Sequence, residues 1–164
     1  RGAKAEVYEG GIRVPFLARW PGKIPYGRTS NLVSAQFDMF ATFCELAGIK
    51  APVSDGVSLL GEMTGKGKPK VRDYLYFEFP EKGGQLAIRF EQFKAVKTGM
   101  KTNRNAPWQL YDLRKDEQET TDIAKLHPDV LRKLDEIVKK EHWPATIREW
   151  EFVDPKFASG TAEK

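Results

Sequence analysis

The sequence predicts an α/β chain in two parts, the end of an α/β domain followed by a four-stranded antiparallel sheet packed on a C-terminal helix. Three observations predict it. A mostly apolar run at 12–20, closed by Pro21-Gly22, reads as a strand that wants cover on both faces, as in a parallel sheet. Three β-rich runs at 74–79, 85–99 and 108–113 follow one another with turn residues between them. The tail from Pro128 starts a helix with proline at its first position, an early acid in Asp129, and an apolar face of Val130, Leu134, Ile137 and Val138 that can cover a sheet.

The chain opens on Gly2-Ala3-Lys4-Ala5-Glu6-Val7-Tyr8-Glu9-Gly10-Gly11-Ile12-Arg13-Val14-Pro15. Paired glycines allow positive φ and close approach of the backbone to another surface. Lys4 and Arg13 flank the turn. A compact ammonium suits a tetrahedral oxyanion and a guanidinium a planar carboxylate, so Lys4 is the candidate anion ligand and Arg13 the partner of an ion pair with Glu9. After the strand, Asp38 is the expected N-cap of a helix with Phe40, Phe43, Cys44 and Ala47 packed in the core, ended by Gly48 at C′. Residues 53–72 shift to Gly, Lys, Ser and Pro and connect the two parts, or form a long loop within one continuous domain. Beyond them, Lys82-Gly83-Gly84 supplies a turn, and the middle β run folds into a hairpin around Phe90-Glu91-Gln92-Phe93.

The 164 residues suffice for one ordinary domain or a large subdomain, with the composition of a globular protein. The net charge of +4 suits an anionic ligand, but the 27 basic residues are dispersed among 23 acids. Nucleic acid is therefore not expected, because phosphate binding needs a concentrated basic stripe. The single cysteine, Cys44, allows no internal disulfide and no thiolate zinc site, and reads as a buried small hydrophobe. No stretch has the length of a transmembrane helix, so no membrane partner is expected.

The opening segment resembles the Gly-x-Lys-(x)4-Glu-Gly-Gly-x-Arg-x-Pro element of the type I sulfatases (arylsulfatases), of the alkaline-phosphatase-like superfamily. The run 38–48, ending Leu46-Ala47-Gly48, and Asp55-Gly56-Val57-Ser58-Leu59 are similar to further family segments. So is Trp108-Gln109-Leu110-Tyr111-Asp112-Leu113 with Asp116-Glu117-Gln118-Glu119-Thr120-Thr121-Asp122-Ile123-Ala124, which resembles Glu-Leu-Tyr-Asp-Leu-x-x-Asp-Pro-x-Glu-x-x-Asn-Leu-Ala. There Gln109 replaces the acid, Glu117 the proline and Asp122 the asparagine.

The resemblance implies the end of an alkaline-phosphatase-like α/β domain, in the C-terminal part of a longer, periplasmic or secreted enzyme that hydrolyses an aryl sulfate or a sulfated sugar or other glycan. Through the Asp55-Gly56-Val57-Ser58-Leu59 run it implies a domain boundary near Lys70, with domains 1–70 and 71–164. It implies that Lys4 contacts the sulfate group and acts catalytically. It implies a formylglycine nucleophile and a calcium ion in the full-length enzyme, held upstream of this chain. Cys44, followed by Glu45-Leu46-Ala47-Gly48, does not carry the nucleophile signature. This chain alone is then expected to be inactive, to bind no calcium, and to self-associate in the absence of its N-terminal catalytic part. Two other readings stand beside it: a phosphonate or phosphate monoester hydrolase of the same superfamily, and a non-enzymatic module that binds acidic glycans.

Of the two histidines, His127 reads as a cap or surface residue at the start of the last helix. His142 and Trp143 carry two readings, an imidazole and an aromatic lining a sugar subsite, or a packing plug with the imidazole near the negative helix end. Asp135 and Glu136 fall on the solvent face of that helix.

Overall fold

The computed structural model describes residues 1–68 and 70–158; Pro69 of the connecting segment and 159–164, the end of the second predicted domain, lie outside the described residues. Two compact units divide the chain, one of Arg1–Val14 with the part from Tyr74 onward, the other of Pro15–Asp73. The division falls close to Lys70, but the first fourteen residues pack with the sheet and not with the segment that follows them.

In the first unit, strands β1 (Tyr74–Phe79), β2 (Gln85–Phe90), β3 (Phe93–Thr98) and β4 (Gln109–Asp112) form an antiparallel meander in the order β1-β2-β3-β4. The β2–β3 hairpin turns on Glu91-Gln92, with Phe90 opposite Phe93 and Glu91 at φ +51°. Between β1 and β2 the chain reverses through Lys82, Gly83 and Gly84, all at positive φ.

Side chains alternate across the pleat. Leu86, Ile88, Ala95 and Leu110 face helix α4 (Pro128–Glu141), whose Val130, Leu134 and Ile137 are buried against them together with Phe152. Proline at N1 and the apolar spacing predicted for this helix are both present. His127 is its N-cap residue without a side-chain cap bond, and its ring lies 5.2 Å from that of Phe93. Asp135, assigned to solvent, is half-exposed yet accepts a 2.8 Å hydrogen bond from Trp108 Nε1, so it ties α4 to the residues before β4. The opposite sheet face carries Ala87, Val96 and Tyr111, covered by Val7 and Tyr8 from the start of the chain. Both faces of the sheet are thus closed, one by α4 and one by the glycine-rich segment.

The second unit departs from expectation. No strand forms over 12–20: Glu9–Ile12 is a single helical turn, and 13–20 is irregular and exposed. A strand needs a hydrogen-bonded neighbour, and among the described residues none runs beside it. The helix α2 (Asp38–Leu46) is present and ends with Gly48 at φ +69°, as predicted. Its buried face is a different one. Phe40 and Phe43 are exposed, while Asp38, Ala41, Thr42 and Cys44 are buried.

Asp38 does not cap the helix: it is the first helical residue, and Phe37 stands at the N-cap without a side-chain cap bond. The Asp38 carboxylate accepts from the Ala35 and Val57 backbone N–H groups, at 2.7 and 2.9 Å, and pairs with Arg72. Thr42 donates to the Asp38 carbonyl and accepts from Leu59 N, 2.9 Å away. Polar bonding, not aromatic packing, holds residues 55–59 against α2.

Candidate functional site

Lys4 sits in the loop before a single helical turn, and its surroundings follow from how that loop is fixed to the sheet. The loop leaves Gly2 at φ +84° and passes through Ala5 at φ +68°, an uncommon conformation for a residue with a Cβ. Glu6 closes it, its carboxylate accepting from Ala3 N at 2.8 Å. The helical turn after the loop is packed backbone to backbone. A Cβ on Gly10 would lie 2.4 Å from the Gly2 carbonyl oxygen, and one on Gly11 would lie 2.0 Å from that of Glu6. The glycine pair therefore serves close approach. Neither glycine takes positive φ.

Three polar contacts then bind the segment to the sheet. Gln85, at the start of β2 and buried, donates through Nε2 to Ala5 O at 3.0 Å and accepts at Oε1 from Val7 N at 3.4 Å. Tyr8 donates its hydroxyl to Gln109 Oε1 at 2.6 Å, and the same oxygen accepts from Tyr111. Burial pushes the Tyr111 phenol up to about 12, which keeps that hydroxyl a donor. The third contact is ionic. Lys94 of β3, fully buried, places Nζ 2.9 Å from Glu9 Oε1 and 3.9 Å from Glu119 Oε1, while Glu119 Oε2 accepts from Glu9 N at 2.8 Å. Burial lowers the Lys94 ammonium against the pull of Glu9, and burial raises the Glu119 carboxyl against its hydrogen bond from Glu9 N. Glu119 thereby joins the two segments singled out in the sequence, across 110 residues.

Arg13 does not pair with Glu9, which Lys94 occupies. It reaches Glu117 at 3.9 Å, with both side chains exposed. Lys4 itself is exposed, and its carbonyl accepts from Lys82 Nζ at 3.4 Å; Lys82 also lies 3.5 Å from Glu6. His142 is buried. Its Nδ1 lies 2.8 Å from Glu78 Oε1 and its Nε2 3.4 Å from Glu151 Oε2, whereas Trp143 is 85% exposed. The two side chains therefore do not line one surface, and among the described residues no hydrogen bond or ion pair connects either with Lys4.

Sequence reasoning missed Gln85, Lys94 and the role of Glu119. The available sign was the unbroken apolar run Leu86-Ala87-Ile88 in β2, which requires cover on both sheet faces. Among the described residues no group of three or more His, Cys, Asp or Glu side chains could hold a metal ion. Glu9 and Glu119 are both committed to Lys94 and are not free to hold a cation. No helix among the described residues is long and apolar enough to cross a membrane.

Residues 3–154 match the family model described as N-sulphoglucosamine sulphohydrolase, C-terminal. The chain belongs to the sulfatase family. Within it, this sulfatase chain is 32% identical over 154 residues to an N-acetylgalactosamine-6-O-sulfatase of Bacteroides thetaiotaomicron, covering 85% of the chain and 29% of that relative. Among solved structures it is similar to a protein in complex with its substrate D-glucosamine-2-N,6-O-disulfate, at 28% identity and a TM-score of 0.60, covering 74% of the chain and 27% of the other. It is also similar to the phosphonate monoester hydrolase of Agrobacterium radiobacter, at 25% identity and a TM-score of 0.54, covering 69% and 26%. The sulfatase chain spans less than a third of the length of each.

Proposed function

We propose that the protein to which this chain belongs hydrolyses sulfate esters of a sulfated sugar, in the periplasm or outside the cell, and that Lys4 contacts the sulfate. The carrying observation is the loop: an exposed ammonium on a strained backbone, fixed from below by Gln85, Tyr8 and the Lys94 ion cluster. A cation held this way costs little reorganisation when charge builds on the sulfate oxygens, which is how preorganised groups accelerate such reactions. The formylglycine and the calcium ion belong to this proposal as contributions from other parts of the protein. The similarity to relatives that act on sulfated amino sugars supports a glycan substrate.

The test is kinetic and uses the full-length enzyme with a confirmed sulfate ester. Lys4→Ala should lower kcat/KM by at least about a hundredfold, with little change in Tm because the side chain is exposed. Lys4→Arg should recover part of the loss, since charge is kept but shape is not. Unchanged kinetics in Lys4→Ala would remove Lys4 from the site. The similarity to a phosphonate monoester hydrolase favours a second reading, in which the same cation meets a phosphonate ester. Comparing kcat/KM for a sulfate ester and a phosphonate monoester of the same alcohol separates the two.

A further inference from the structure

We infer that Gln85 is a positioning residue for Lys4, a role that rests on the proposed contact between Lys4 and the sulfate. Its side chain is almost wholly buried, yet it is not packed as filler: both ends of the amide are used, one on Ala5 and one on Val7, the first and third residues after Lys4. Nε2 donates to the Ala5 carbonyl and Oε1 accepts from the Val7 amide, so one planar group fixes the backbone on either side of Glu6. Ala5, at one end of this clamp, holds φ +68°, a conformation uncommon for a residue with a Cβ that persists where the surroundings constrain it.

Gln85 is itself well anchored. It is the first residue of β2, paired with Phe79 of β1 and Thr98 of β3, directly after the turn at Gly83 and Gly84. The sheet thus transmits its rigidity to the loop through one side chain. The contact on the Lys4 carbonyl itself, from Lys82 at 3.4 Å and half-exposed, is weaker and open to solvent. An oxyanion ligand displaced by about an ångström can lose on the order of a hundredfold in rate. The residue that sets the loop's position should then matter to catalysis without touching the substrate.

The experiment is a double-mutant cycle in the full-length enzyme, with kcat and KM for one sulfate ester and Tm for every variant. Gln85→Ala removes both contacts; Gln85→Glu keeps the acceptor for Val7 N but sets a carboxylate against the Ala5 carbonyl, and it serves as the measurement should Gln85→Ala fail to fold. Either variant should lower kcat/KM about tenfold to a hundredfold, mostly in kcat. In the Lys4→Ala background the same substitution should cost less than about twofold, because the group it positions is gone. Lys82→Ala should cost less than about threefold.

A loss of equal size in both backgrounds would assign Gln85 to general stability and overturn the positioning role. Unaltered kinetics in Gln85→Glu would overturn it too. Both results leave the assignment of Lys4 intact, provided Lys4→Ala alone is impaired. If Lys4→Ala alone is unimpaired, the assignment of Lys4 and the role of Gln85 fall together.

Discussion

The two units of this chain solve the problem of apolar residues in opposite ways. The sheet unit closes both of its faces, with Leu86, Ile88, Ala95, Leu110 and Leu134 buried toward α4 and Ala87, Val96 and Tyr111 beneath Val7 and Tyr8. In the unit Pro15–Asp73 the buried residues of α2 include Asp38 and Thr42, while Phe16, Leu17, Phe40, Phe43 and Ile49 face outward. Both units are rich in apolar residues; what differs is the presence of a surface to pack on. An apolar residue marks a face that needs a partner, and only the sheet unit contains that partner among the described residues. Exposed apolar patches of this kind are the mark of an interaction surface.

The contrast can be broken most severely at Lys94. Lys94→Ala leaves buried Glu119 and half-buried Glu9 without their cation, and removing one partner of a buried ion pair costs about 3–5 kcal/mol. Urea denaturation of the chain should show that loss. Stability within about 1 kcal/mol of the parent would mean that the two acids are solvated and the cluster is not closed. Next in size is a matched pair of core truncations. Leu134→Ala, in α4, should cost about 2–5 kcal/mol, and Phe43→Ala, on the outward face of α2, less than about 0.5 kcal/mol. Equal costs, measured in the same denaturant series, would erase the distinction between the units.

The smallest effect concerns Asp116, which is partly exposed and receives backbone hydrogen bonds from Thr121 and Thr120. Those bonds hold its carboxyl below the ordinary value of 3.8. The folded state favours the ionised form, so this contribution is complete above that value and is lost as pH falls through the lower folded one. Asp116→Asn should flatten the acid limb of a stability profile below about pH 4 and lower the neutral-pH plateau by the same small contribution. An unaltered acid limb would show that the loop's bonds persist in the unfolded chain.

Against these differences, the legibility of the sequence divides along the same line. All four strands, the Lys82-Gly83-Gly84 turn, the hairpin at Phe90-Glu91-Gln92-Phe93 and the last helix were readable, because each is specified by local alternation, turn residues or helical spacing. The strand over 12–20 was not, since its apolar run specifies a partner and the described residues contain none. Asp38 was misread as a cap because its residue type fits two roles, and only Arg72 and the Val57 amide, distant in sequence, decide between them. In the same way Arg13 lost Glu9 to Lys94, a competitor 85 residues away from Glu9. Lys4 was legible as part of a motif; Gln85 beneath it was not, because a glutamine at the start of a strand carries no local mark of what it supports.

The bonds that fix the Lys4 loop also share a property with a kinetic meaning. They span 78 and 80 residues at Gln85, 101 at Gln109 and 110 at Glu119, whereas the meander pairs each strand with its immediate successor. Closing long loops costs chain entropy that short hairpins avoid, so the hairpins form first and the opening segment docks on a sheet already made. Substitution of Tyr8 by Phe should accordingly speed unfolding and leave the folding rate alone, whereas a slowed folding rate would place docking in the nucleus. The loop proposed to meet the substrate is then the last part of its unit to form and the first to release.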